Sequence, residues 1–189
     1  LETTNFSIGI GFIDTWGNTG LSIREYSSGY GIPGGFIGAH PNGVDIEIFK
    51  RQLNTKTKLK IGSEIFDELS FDFSRDYFRQ TEYERADLIG AEFTIINYRG
   101  QLELSNKNFL FIDNGTSGLS IEYRDFKVGG FVFTAPTKSV KTSLFSYQSV
   151  SLGRTNIESA FRISYDRLNP RKENPSSKDE FMVDRNFLT

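Results

Sequence analysis

None of the 189 residues is cysteine, and only one each is histidine, methionine and tryptophan. Without cysteine there is no disulfide scaffold, no thiolate metal site and no cysteine nucleophile. The single histidine, His40, can supply one ligand where a zinc site takes three or four, so no metal is expected. It would also have to be the base of any serine-type hydrolase, and no nucleophile motif is visible beside it. The expectation is no enzyme, no metal and no cofactor. An excess of one charge is missing too. The 22 Lys plus Arg against 24 Asp plus Glu leave a net charge of -2, without the basic face of a nucleic-acid binder. No apolar run approaches the 18 residues of a membrane helix. Alanine, the best helix former, occurs only five times.

What is present points one way. There are 18 Phe, 17 Ile, 8 Tyr and 18 Gly, and this aromatic content argues against disorder. Phe, Ile and Tyr favour strands, so the expected fold is all-β with negligible helix. Period-two alternation marks eight segments, about 4–16, 20–28, 43–60, 67–79, 88–106, 117–128, 138–150 and 157–168. In the first, Phe6, Ile8, Ile10 and Phe12 alternate with Ser7, Gly9 and Gly11. In the third, the apolar parity changes near Arg51, which predicts a β-bulge there. A tight turn is expected at Gly17-Asn18-Thr19-Gly20. Another is expected at Asp113 to Gly118, which lacks the spaced carboxylates of a calcium loop.

The connections alternate in length. Short ones fall at about 17–19, 61–66, 107–116 and 151–156, long ones at about 29–42, 80–87, 129–137 and 169–186. An antiparallel meander puts all the long loops at one end, which is the layout of an outer-membrane β-barrel. Several segments reach the 9–11 residues that a tilted strand needs to cross a bilayer. The expectation is an antiparallel meander of about eight strands, an open curved segment of a larger transmembrane barrel. Phe6, Ile8, Ile10, Phe71, Phe73, Leu119, Ile121, Phe161 and Ile163 should then face lipid, and Glu122, Arg124, Glu158 and Arg162 the lumen. Lys56, Lys58 and Lys60 approach a short turn and would sit at the periplasmic rim. A half-buried soluble sheet, for example a carbohydrate-binding module, gives the same alternation and is the competing reading. Its apolar residues would converge on a closed dry core. Leu1 follows no secretory leader pattern and Thr189 stops as an apolar segment begins, so a fragment is expected.

Five motifs carry a resemblance. Tyr30-Gly31-Ile32-Pro33-Gly34-Gly35 is followed by Gly43-Val44-Asp45-Ile46-Glu47, then come Phe71 to Tyr83, Asn97 to Leu104, Gly118 to Phe126 and Phe161 to Asp166. In this order the chain resembles the barrel of TonB-dependent outer-membrane receptors. The resemblance covers nearly all of residues 1–189 and implies part of the barrel alone. The plug domain, the TonB box and the remaining strands of an approximately 22-stranded barrel have no counterpart in it. It further implies a transporter in the outer membrane of a Gram-negative-type bacterium, importing a scarce nutrient such as a siderophore, metal complex, cobalamin or glycan. Its partners would be outer-membrane lipid, the protein's own plug, the TonB energy-coupling protein and a small nutrient ligand. In the loop from Tyr30 to Asn42, the side chains Tyr30, Phe36 and His40 are the candidate ligand contacts.

Overall fold

The computed structural model describes residues 1–35, 41–85, 88–132, 134–171 and 183–189. The strands are β1 (Glu2–Asp14), β2 (Gly17–Ile32), β3 (Val44–Lys60), β4 (Phe66–Arg85) and β5 (Leu88–Phe109). They continue as β6 (Ile112–Gly130), β7 (Thr137–Leu152), β8 (Thr155–Pro170) and β9 (Arg185–Leu188). All nine form one sheet in sequence order, each pair antiparallel. No helix occurs among the described residues. The alternating Phe/Ile pattern and the scarcity of alanine thus produce an all-β meander.

The sheet does not close. β1 pairs only with β2, and β9 covers only Tyr165 to Leu168 of β8. Nor is there a packed interior. Among the described residues the buried hydrophobic side chains are Ile46 and Ala91, while Phe6, Ile10, Leu144 and Phe161 are all more than half exposed.

Three expectations are corrected by the register. β3 pairs without a shift along both β2 and β4, so Arg51 sits in no bulge. The irregularities lie between β4 and β5 instead, at Phe66/Glu68 and around Tyr83. Residues 80–87 are not a long loop, because β4 runs through Arg85 and β5 resumes at Leu88. The expected Gly/Asn turns are strand: β1 and β2 turn at Thr15-Trp16, β5 and β6 at Leu110-Phe111. Gly17 belongs to β2, where an added Cβ would strike the Lys58 backbone carbonyl of β3. Gly115 belongs to β6, where it would strike the Gln148 amide of β7. These glycines serve close strand contact rather than turn geometry. The remaining connections keep the expected asymmetry, with 15–16, 61–65, 110–111 and 153–154 at one end and 33–43, 131–136 and 171–184 at the other.

Candidate functional site

Directly opposed residues of an antiparallel sheet share a face, so the register sorts every side chain. In the half nearest the short turns, one face is apolar. Phe71, Leu102, Leu119, Leu144 and Ile163 lie in one row across β4 to β8, and Ile10, Leu21, Phe73, Ile121 and Tyr165 lie in the next. The whole expected Phe/Ile/Leu set falls on this face, and Glu122, Arg124, Glu158 and Arg162 fall on the other. Aromatic rings mark both borders. Phe12 and Trp16 stack at the short-turn border, with centroids 6.1 Å apart. Tyr98 and Tyr123 meet at 6.3 Å on the other border. There Arg75 lies 5.7 Å over the Tyr98 ring and donates from Nε to its hydroxyl at 3.3 Å.

The opposite face of this half is built of cross-strand polar contacts. Lys58 bonds Glu68 at 2.7 Å and Lys56 approaches Asp72 at 3.5 Å. Gln52 donates to Asp76 at 2.6 Å. Glu122 accepts from Arg99 at 3.0 Å and from Arg124 at 3.1 Å. Small residues between these long side chains are covered by them. Ser70 is 6% exposed and Ser143 only 1%. Asn97 Oδ1 is buried without a partner.

Above the row of Gln52, Asp76 and Asn97 the two faces exchange character. Ile48, Phe78, Ile95, Phe126 and Val128 now lie on the side that was polar, with Phe93 stacked on Phe126 at 6.2 Å and 3°. The other side carries Arg79, Glu92 and Lys127, and the Arg51–Glu25 pair at 2.5 Å. The Arg51 guanidinium also lies 5.5 Å over the Phe49 ring. Farther along, Tyr83 donates to Glu47 at 3.3 Å, and burial first and the Glu47 carboxylate second raise its phenol pKa. The parity change at Arg51 is therefore a swap of faces along an uninterrupted strand.

Of the three candidate ligand contacts, Tyr30 lies near the end of β2 opposite Ile46, on the side of the Phe93–Phe126 patch. Phe36 and His40 lie outside the described residues. The patch itself, with Phe78, Phe93, Ile95 and Phe126, was missed as a candidate site. Its signal was the same parity change at Arg51, repeated out of phase in β5 and β6. Among the described residues no group of His, Cys, Asp or Glu could hold a metal ion. No protein-family model matches the chain, and no curated protein matches it in sequence.

Proposed function

We propose that this chain is part of the wall of an outer-membrane barrel of the TonB-dependent type, a transporter importing a scarce nutrient. The observation that carries this reading is the apolar belt, exposed on one face of an open sheet and confined to its short-turn half. Along β4 the belt runs from Leu69 to the border row of Arg75 and Tyr98, about 20 Å at roughly 3.4 Å per residue. At the tilt of a membrane barrel this gives about 16 Å of height, which fits within the ~25 Å apolar band of such barrels with the bordering rings beyond it. The rings at both borders match the aromatic girdles of that architecture. Above the belt the strands continue with charges on the lipid-side face and aromatics on the interior face, as for a wall standing in water around an interior chamber. The five ordered motifs supply the link to TonB coupling, and with it the plug domain and the coupling protein as partners. The nutrient ligand would meet Tyr30 and the Phe93–Phe126 patch. The near absence of a buried apolar core weighs against a soluble carbohydrate-binding module.

These 189 residues hold no cysteine, so once any cysteine elsewhere in the full protein is replaced the dye has a single point of attachment. In the full protein reconstituted into lipid vesicles, a polarity-sensitive maleimide dye is attached to Ile121→Cys or, separately, to Ser120→Cys. The expected result is strongly blue-shifted emission from position 121 and water-like emission from position 120. Equal emission from both, or purification as a monodisperse monomer without detergent, sinks the proposal.

A further inference from the structure

We infer that the polar face of β5 to β8 holds a binding site for a small oxyanion, built by Arg99, Lys141 and Arg162. The register puts Arg99, Glu122 and Lys141 in one row, and Gln101, Ser120, Ser143 and Ser164 in the next. Arg162 starts one row farther on and leans back. Its Nη2 donates to Ser143 Oγ at 3.1 Å and its Nε to Ser164 Oγ at 3.4 Å. The two hydroxyls are themselves joined at 3.0 Å, and Ser143 is 1% exposed. The guanidinium also lies 5.8 Å from the centroid of Phe145.

That ring is in turn seated by a glycine. A Cβ on Gly118 would lie 2.5 Å from Phe145 Cζ, so only glycine lets the ring lie against β6. A chain of contacts from Gly118 through Phe145 thus fixes a guanidinium whose bonds all go to neutral hydroxyls. A shallow cleft of about 260 Å³ opens between Arg162, Lys141 and Arg99.

The charge balance in the cleft is uneven. Glu122 is its one carboxylate and already bonds both Arg99 and Arg124. Asp166 stands opposite Lys141 in the register, but the two form no ion pair within 4 Å. Three cations of the cleft therefore face one carboxylate, and neither Lys141 nor Arg162 has a carboxylate partner. A guanidinium held in place, with an ammonium and hydroxyls beside it, suits phosphate or carboxylate oxygens. The site belongs to the sheet's own polar face and does not depend on the transport reading.

The test uses inorganic phosphate, titrated calorimetrically into the full protein in detergent at low ionic strength. The expected result is one saturable site that weakens as salt is raised. Arg162→Gln should lower its affinity about tenfold or more, the scale of a lost charge-assisted hydrogen bond. Lys141→Gln, at an exposed position that leaves the fold intact, should weaken it several-fold. Lys56→Gln, outside the cleft and paired with Asp72, should leave it unchanged. A wild type with no saturable binding overturns the inference, as does equal binding by all three variants. Neither result bears on the dye test of membrane insertion.

Discussion

The two halves of this sheet share strands, register and hydrogen bonding, yet carry their apolar side chains on opposite faces. Near the short turns Ile121 and Phe71 point one way, and Glu122 and Asp72 the other. Beyond Asn97 the same side that carries Glu122 carries Phe126 and Val128. A strand has a strict period of two, so the backbone cannot prefer one face over another along its length. Only the surroundings differ. In the proposed barrel, lipid would favour an apolar exterior, and water, a few residues along, would favour a charged exterior and an apolar interior.

Substitutions that act differently in the two halves test this directly. The largest effect belongs to the belt. Ile121→Arg places a charge on the apolar face and should cost about 2–4 kcal/mol, the scale for a charge at the midplane of a membrane barrel. Denaturant titration in lipid vesicles measures it, and a cost near zero would mean that the belt does not meet lipid. Phe126→Ala in the other half removes a half-buried ring from the Phe93 stack. Its expected cost is about 1–2 kcal/mol, from lost area and the ring pair together, read from the same titration. The smallest effect is Arg51→Ala, on the belt's own side but above it. It breaks an exposed ion pair with Glu25 and a ring contact with Phe49, for about 0.5–1 kcal/mol. If Arg51→Ala cost more than Ile121→Arg, the assignment of the two halves would be reversed.

The alternation in Phe6 to Phe12, Phe71 to Phe73 and Leu119 to Ile121 made the strands legible, together with their order and the belt. Period-two patterning survives any tertiary context that wets one face. Strand ends were less legible. Gly17-Asn18 and Asn114-Gly115 carry the strongest local turn chemistry in the chain, but the sheet uses these glycines where neighbouring strands press close. The actual β5–β6 turn falls at Leu110, which takes a positive φ of 57°, a conformation leucine seldom adopts. Sequence propensity argues against such a turn, so it could not be read. The parity change at Arg51 was visible but ambiguous. A bulge and a swap of faces leave the same mark in one strand, and only pairing with both neighbours separates them. The oxyanion cleft was least legible, because Arg99, Lys141 and Arg162 come from three strands and meet only through register.

The strictly sequential strand order has a kinetic consequence. Each strand pairs only with the one before it and the one after it, so every pairing closes a connection between strands adjacent in sequence. Loop-closure entropy rises by only about 0.6 kcal/mol for each doubling of loop length, which keeps even the 171–184 connection inexpensive. The sheet can therefore grow hairpin by hairpin, with local pairings that form quickly. At each stage the newest strand presents an unpaired edge, and β1 presents another from the start. Such edges recruit whatever strand is nearest. The hazard of pairing with a stranger stays constant throughout growth, and it ends only when both terminal edges are covered.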